Sequence, residues 1–347
     1  METLYTSRLH GFPNLSRAVS ESPLTEESML SLVIVLGSSV SLVGLVFAFI
    51  TYSLFSDLRN LSGTALMNLL AALFMTQLLY VIGVGGVPDP ELCIALAFSL
   101  QYIRSCVLCW MLVMAHHMYT QFSTNLHLTP ITDNSIGKRF LRYSVFAWGL
   151  PAVLLGASVI VQYREKGGKI LDTASLKEQN CWFLDKNAFI YGLILPSTLL
   201  ALTTFSYLIR SALVARYVVN MQVDKKLRDK MKRKRKLQLL LFTKITLLLA
   251  LIITLGALTK LIRSEILWIS YHVGQGLQGI FVAMMVTCNC QVLKLYTRTF
   301  KSRGPRQGTS TFGNIVPSAK TLLGKGVSIS KSTSLQLLTW DPTPDPV

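Results

Sequence analysis

The sequence of 347 residues is 51% hydrophobic and only 15% charged, and its mean hydropathy is +0.47. Soluble proteins carry about 25% charged residues, and one globular domain of this length cannot bury so much apolar surface. The composition therefore disfavours a soluble enzyme and indicates a protein whose solvent is lipid.

Seven segments are long enough to cross a bilayer, because a hydrocarbon core of about 30 Å needs roughly 20 helical residues. The third segment contains Arg104 and the sixth contains Lys244. Lipid offers the backbone no hydrogen bonds, so each segment is expected to be helical. We predict an all-α integral membrane protein, a seven-transmembrane helix bundle. The predicted spans are Ser28–Ser56, Asn60–Pro88, Leu92–Gly137, Tyr143–Tyr163, Asn187–Ile209, Leu237–Thr259 and Ile266–Leu293.

The distribution of Lys and Arg sets the orientation of the bundle. With the N-terminus outside, 24 of these residues lie on the inner side and nine on the outer side, as the positive-inside rule requires. The net charge of +17 therefore arises from cytoplasmic segments and does not indicate a nucleic-acid partner. We predict a short extracellular N-terminus (1–27), a seven-helix domain ending in an interfacial helix (28–300), and a disordered cytoplasmic tail (301–347).

The topology also indicates sites of modification. Asn14 begins an Asn-Leu-Ser sequon on the outer side and is a candidate for glycosylation. Cys288 and Cys290 precede the amphipathic run Gln291–Phe300, which predicts the short interfacial helix, and either cysteine could carry a palmitoyl chain. The serines and threonine of 328–334 could accept phosphates and then bind arrestin, or they are ordinary residues of a solvated tail.

Two cysteines lie at the outer boundary of the bundle. Cys93 is at the start of the third helix, and Cys181 is in the loop before the fifth. A disulfide persists on the oxidising side of the membrane, so we expect these two residues to be joined, and the alternative is two free thiols. Cys106 and Cys109 are in the middle of a helix and are expected to be packing residues.

Polar side chains on two helices form a candidate ligand pocket. Gln101, Arg104 and Ser105 share one face of the third helix, and a charged residue at this depth is expensive in lipid. A polar cluster between the third and seventh helices would satisfy Arg104, either as a tie between helices or as a ligand contact. The remaining pocket candidates are Trp182, Tyr271, His272, Gln275 and Gln278.

No catalytic constellation is visible in the sequence, and we predict neither a metal nor a cofactor. His116 and His117 are adjacent on one helix, so they cannot bind one metal ion together. An ion-coupled transporter usually carries intramembrane acids or broken helices that are paired between two halves of the chain. A transporter or a lipid-handling protein is therefore the weaker alternative.

A series of short motifs resembles the secretin and adhesion class of G protein-coupled receptors, and the insect Methuselah-like branch looks closest. Trp148–Pro151 in the fourth helix is the most diagnostic motif. The resemblance implies a plasma-membrane receptor that passes a signal from a peptide or small molecule outside to a heterotrimeric G protein. The other motifs, between Leu58 and Tyr296, are Leu66–Leu70 with Asn68, Gln77–Leu79, Trp110–Val113, Ala115–Tyr119, Cys181–Phe183 and Leu277–Phe281.

The sequence departs from this class in three respects. Leu66 and Met114 stand where the class has the histidine and glutamate that lock the inner ends of helices two and three. The sixth helix contains no proline, so only Gly256 could relieve a bend there. Only 27 residues precede the first helix, whereas the class has a large extracellular domain. A truncated, non-signalling partner of a longer receptor is therefore a further alternative.

The inner ends of helices five and six are the expected G protein contact. Nine Lys and Arg occur between Lys225 and Lys236, a run that can also act only to hold the loop inside, against anionic membrane lipid. Charge alone gives little specificity, so neighbouring apolar residues must supply it. The contact candidates are Leu239, Leu240, Phe242 and Lys244.

The disulfide predicts a characteristic pattern of mutant effects. Cys93→Ser and Cys181→Ser should each lower surface expression, and the double variant should be no worse than either single variant, because both remove the same bond. Surface labelling of cells that express the three variants measures this. Losses that add together would show that the two cysteines act separately.

Overall fold

The computed structural model of this protein shows seven long helices in the residues that it describes. The structure describes residues 26–55, 58, 60–84, 90–124, 134–165, 194–220, 225–262, 264–289, 292–293 and 296–297. No strand occurs in this part of the chain, and the predicted all-α seven-helix architecture is confirmed. The helices are α1 Glu26–Leu54, α2 Leu61–Val84, α3 Pro90–Thr124, α4 Asn134–Glu165, α5 Leu195–Asn220, α6 Lys225–Leu261 and α7 Glu265–Thr287.

Several predicted boundaries were wrong, and two of these errors matter most for the description of the bundle. The third span was expected to reach Gly137, but α3 ends at Thr124 and Gly137 already belongs to α4. The basic run Lys225–Lys236 was expected to be part of the loop between helices five and six, yet it forms the first turns of α6. The cause of the second error is that Lys and Arg are good helix formers, so their charge marks the membrane boundary and not the helix end.

The lengths and polarity of the helices agree with a membrane bundle. Among the described residues, six helices, α1 to α6, are long and apolar enough to cross a bilayer. The seventh helix is 23 residues long but carries His272, Gln275 and Gln278, and these three side chains are buried inside the bundle. A helix that turns its polar residues toward its neighbours can still cross lipid, because its remaining surface is apolar.

The centre of the bundle is α3, which packs against α2, α4 and α5. Trp110 of α3 is fully buried, and its ring lies against those of Phe140 and Trp148 in α4, with centroid distances of 6.4 and 6.2 Å. The hydroxyl of Tyr102 donates a hydrogen bond to the Trp148 carbonyl at 3.0 Å. Motifs of α3 and α4 that identified the family resemblance therefore meet at one aromatic contact.

Small residues let α1 and α7 approach closely. A Cβ atom on Gly279 would lie 2.8 Å from Cβ of Ser41 and 2.9 Å from Cδ1 of Leu45. On α1, a Cβ on Gly44 would lie 3.3 Å from Cβ of Ala283. Such contacts between small side chains are the usual basis of helix association in lipid, where apolar side chains gain little by leaving the solvent.

The two faces of α6 differ in the way expected of a helix at the edge of the bundle. Phe242, Ile245 and Leu249 are buried, whereas Leu240 and Leu247 on the opposite stripe are exposed. Since the protein is an integral membrane protein, the exposed leucines that lie within the hydrocarbon region face lipid. The positions of the buried and exposed residues define which side of α6 faces the bundle.

The chain after α7 turns back toward the inner end of α1. The hydroxyls of Tyr296 and Thr51 are 2.8 Å apart, and the ring of Tyr296 packs edge-on against Phe55. Residues 292–293 and 296–297 are helical, and Val292 is fully buried. The rest of the predicted interfacial helix Gln291–Phe300 lies outside the described residues.

The close approach of α1 and α7 predicts an asymmetry between two glycine substitutions. Gly279→Ala should lower the free energy of unfolding by about 1–3 kcal/mol, because the new methyl group overpacks the contact with Ser41 and Leu45. Gly156→Ala in α4 is the matched control, since its Cβ would meet nothing within 4 Å. Unfolding in mixed micelles by SDS titration measures both, and equal stabilities would contradict the packing of α1 on α7.

Candidate functional site

The backbone carbonyl of Gly276 is the point where three helices meet. It accepts a hydrogen bond from the hydroxyl of Ser41 in α1 at 2.6 Å and another from Nε2 of Gln77 in α2 at 3.1 Å. Ser41, Gln77 and Gly276 are all buried. The Gly276 carbonyl and its two donors therefore meet one another's need for a hydrogen-bond partner in a region where lipid and apolar side chains offer none.

Ser41 also contacts the next turn of α7. Its hydroxyl oxygen accepts a hydrogen bond from the backbone N–H of Ile280 at 3.2 Å. In an α-helix the Ile280 N–H pairs with the Gly276 carbonyl, so Ser41 bridges the two ends of one backbone hydrogen bond. A side chain inserted in this way is one of the recognised causes of local helix bending. A Cβ on Gly276 would lie 3.4 Å from both Oγ of Ser38 and the Ile34 carbonyl, so α1 and α7 are also in close contact at this position.

One turn toward the outer end of α7, His272 connects it to α2. Nδ1 of His272 and the hydroxyl of Tyr80 are 2.6 Å apart and share a hydrogen bond, in which either atom could be the donor. The Trp268 ring packs against His272 with a centroid distance of 4.4 Å. The imidazole is therefore held on one side by a hydrogen bond and on the other by an aromatic ring.

Arg104 of α3 reaches across to Tyr271 of α7. Its Nη2 donates a hydrogen bond to the Tyr271 hydroxyl at 2.8 Å, so the predicted polar contact between the third and seventh helices is present. The ring of Tyr271 lies directly on α6, where a Cβ on Gly256 would be only 2.8 Å from Tyr271 Cε2. Tyr271 therefore links a charged group on α3 to the backbone of α6.

The other predicted pocket residues are distributed unevenly around this contact. Gln101 and Gln275 are buried, and Oε1 of Gln101 and Nε2 of Gln275 have no hydrogen-bond partner within the described structure. Gln278 is also buried. Ser105 does not join the cluster, because its hydroxyl donates to the Gln101 carbonyl on its own helix. Trp182 lies outside the described residues.

The inner end of the bundle is closed by apolar and cation–π contacts. Leu66 and Met114 are both buried in the core. Arg235 of α6 is only 8% exposed and lies over the ring of Phe122 at the end of α3, 5.2 Å from its centroid. A contact of this kind contributes about 2 kcal/mol when it is desolvated. It holds α6 against the inner end of α3.

The G protein contact candidates do not share one face. Leu240 is 42% exposed and Lys244 is exposed one turn further along the same stripe, while Leu239 is half-buried. Phe242 is only 7% exposed and belongs to the core, so in this conformation it is not available to a partner. The role of Phe242 therefore stays a prediction, and sequence proximity to the basic run does not reveal which way a helical side chain points.

The predicted modification sites lie at the margins of the described structure. Cys288 is a free, exposed thiol at the end of α7, so palmitoylation at this position stays a prediction that the exposure permits. The side chain of Cys93 and residues Cys181, Cys290 and Asn14 lie outside the described part. Within that part, no three His, Cys, Asp or Glu side chains come together to form a metal site.

The sequence analysis missed four residues of the site: Ser41, Gln77, Tyr80 and Trp268. Gln77 had been noted only as part of a motif, and Tyr80 follows it three positions later on the same helical face. Polar groups at this spacing in an apolar span are a signal that could have identified both. Ser41 lies between Gly37 and Gly44, so the spacing of small residues is the corresponding signal for α1.

Comparison with known families decides the identity of the bundle. A sequence model of the family described as "7 transmembrane receptor (Secretin family)" matches residues 27–282, which include all the hydrogen-bonded groups described above on α1, α2, α3 and α7. The chain belongs to the secretin family of seven-transmembrane receptors. It is accordingly a multi-pass protein of the plasma membrane, and the transporter and lipid-handling alternatives are not favoured.

Individual relatives of this secretin-family chain are adhesion-type receptors. Cadherin EGF LAG seven-pass G-type receptor 1 of Mus musculus is 32% identical over 145 residues, which are 42% of this chain and 4% of that protein. Adhesion G protein-coupled receptor L4 of Danio rerio is 28% identical and covers 58% of this chain and 26% of its own length. Adhesion G protein-coupled receptor E2 of Homo sapiens is 28% identical and covers 49% and 19%.

The matched relatives are much longer than this chain. The chain spans about a quarter or less of the length of these three relatives. The relatives are vertebrate proteins, so membership in the secretin family is established and the Methuselah-like branch is not confirmed.

The charge on Arg104 predicts different effects for two matched substitutions. Tyr271→Phe should lower the free energy of unfolding by about 1.5–3 kcal/mol, because it removes the hydrogen bond to a charged group. Tyr102→Phe removes the same atom from a hydrogen bond with the neutral Trp148 carbonyl and should cost about 0.5–1.5 kcal/mol. SDS titration of the ligand-free protein compares them, and an equal or larger loss for Tyr102→Phe would contradict a stabilising contact at Arg104.

Proposed function

We propose that this protein is a G protein-coupled receptor that transmits an extracellular signal by rearranging its helices. The observation that carries the proposal is the link from Arg104 through Tyr271 to Gly256, which connects α3, α7 and α6 in the outer half of a secretin-family bundle. A ligand that displaces Tyr271 changes a contact with the helix whose other end reaches the basic cytoplasmic surface. No bond is made or broken in this role.

The transmission step is a shift between two conformations that exist before the ligand binds. A ligand favours the conformer for which it has the higher affinity, and it shifts the equilibrium by that difference alone. The Gly276 junction anchors α7 to α1 and α2, so Tyr271 and α6 are the parts that can move relative to this anchor. Movement of α6 away from α3 requires Arg235 to leave the ring of Phe122.

The cytoplasmic part of α6, from the basic run to Lys244, is the proposed contact with the heterotrimeric G protein. Leu240 supplies exposed apolar surface there, and the helical basic run that precedes it supplies long-range attraction. Lys244 lies on the same stripe, where its flexible chain can reach the inner interface and anionic lipid. Arrestin binding to a phosphorylated tail is a further part of the proposal and rests on the serines of 328–334.

Nucleotide exchange tests the proposal directly. Membranes containing this protein alone should accelerate exchange on at least one purified heterotrimeric G protein above the rate of membranes without it. A non-signalling partner of a longer receptor would leave the rate unchanged with every G protein, and this result would overturn the proposal.

A matched pair of substitutions locates the contact. Leu240→Ala should lower the exchange rate several-fold at equal surface expression, because it removes exposed apolar surface next to the basic run. Leu247→Ala, two turns deeper on the same exposed stripe, should leave the rate unchanged. If both variants retain the wild-type rate, the basic run is only an orientation device.

A further inference from the structure

We infer that the ligand of this receptor carries a carboxylate, and that Arg104 is the group that binds it. The inference rests on the receptor role proposed above and adds the chemical class of the ligand. Arg104 places a positive charge inside the membrane. The span Ala95–Ser123, which contains Arg104, has no Asp or Glu, and neither has α2 or the stretch 266–287 of α7.

The guanidinium of Arg104 is far from fully bonded. An arginine presents five N–H donors, and within the described part of the chain one of them is used, in the hydrogen bond to Tyr271. Arg104 lies nine residues into its span, about 14 Å from the outer end at 1.5 Å per residue. A charge at this depth is normally paired or faces an aqueous cavity, because an isolated one costs about 2.5–3.5 kcal/mol on insertion scales.

Two further polar atoms, on residues one turn from Arg104 and one turn from Tyr271, are also unpaired within the described structure. Gln101 is 4% exposed and lies one turn outward of Arg104 on the same face of α3, and its Oε1 accepts no hydrogen bond from the described residues. Gln275 is 3% exposed and lies one turn inward of Tyr271 on α7, and its Nε2 donates none. Buried polar atoms are rarely left unsatisfied in native proteins, and each such atom requires an explanation.

The proposed binding position lies between α3 and α7. These two helices are not among the closely packed helix pairs of the bundle, and the long side chains of Arg104 and Tyr271 make the contact between them. The planar fork of Arg104 can hold both oxygens of a carboxylate, and Nε2 of Gln275 is an unused donor on α7. Gln101 Oε1 then accepts from an N–H or O–H of the ligand. Tyr271, His272 and Trp268 supply aromatic walls for an apolar body.

Matched acids and amides test the charge requirement. The purified receptor in nanodiscs is heated with phenylacetate, from solution, or with palmitate, from the bilayer, and each is compared with its neutral amide. At least one acid should raise the melting temperature by about 2 °C at concentrations up to about 10 mM, and its amide should not. A shift with phenylacetate indicates a soluble ligand, and a shift with palmitate alone indicates a ligand from the membrane. Equal shifts for acid and amide, or no shift with either acid, would overturn the inference.

Three variants assign the response to Arg104. Arg104→Met should abolish the acid-dependent shift, and Lys244→Gln, which removes an exposed cation from α6, should retain it. Gln101→Glu places a carboxylate one turn from Arg104, so it should raise the melting temperature without ligand and remove the response to the acid. If Arg104→Met does not fold, the response of Gln101→Glu decides whether the acid binds at Arg104. A wild-type response in Arg104→Met or in Gln101→Glu would contradict the assignment. Because binding is measured without a G protein, failed coupling and failed carboxylate binding are separate results.

Discussion

The carbonyl of Gly276 is the constraint on which the arrangement of the bundle depends. It receives hydrogen bonds from α1 and α2, through Ser41 and Gln77, within a helix that must itself keep its backbone paired. In lipid there is no water to replace any of these partners, so the position of each helix is fixed by the others. The small residues of α1 and α7 are a consequence, because Ser41 reaches the carbonyl only when the two backbones approach closely.

This junction divides the bundle into parts with different roles. The anchored unit of α1, α2 and α7 keeps its contacts, while α6 is held at two points that can change. At the outer half, Tyr271 rests on Gly256, where a side chain would not fit. At the inner end, Arg235 lies over Phe122, a cation–π contact for which the described residues supply no ionic partner. Because these two contacts lie toward opposite ends of α6, a change at either one can shift the helix. The unpaired charge of Arg104 supplies the outer end with a group that an extracellular ligand can recognise.

The sequence predicted the architecture well because the physics of lipid leaves few choices. Uncharged stretches of sufficient length must be helices, and Arg104 had to find a partner inside the bundle, which is Tyr271. Details that depend on helix rotation and on contacts between distant segments were not accessible. Phe242 was assigned to a partner surface and lies in the core, and Ser105 was assigned to the pocket and bonds its own helix. Ser41 and Tyr80 were missed because several Ser, Thr and Tyr residues occur in these spans, and only the structure shows which of them meets a carbonyl or ring of another helix.

The most direct test of the Gly276 junction is a double-mutant cycle between its two donors, measured as the free energy of unfolding in mixed micelles. Ser41→Ala and Gln77→Leu should each destabilise the protein by about 0.6–2 kcal/mol, the range measured for hydrogen bonds between membrane helices. If the junction acts as one unit, removal of either donor loosens α7 enough to weaken the other, so the double variant should lose clearly less than the sum of the two single losses. A loss equal to or larger than the sum would show that Ser41 and Gln77 stabilise the bundle separately, and it would contradict the central place given to this carbonyl.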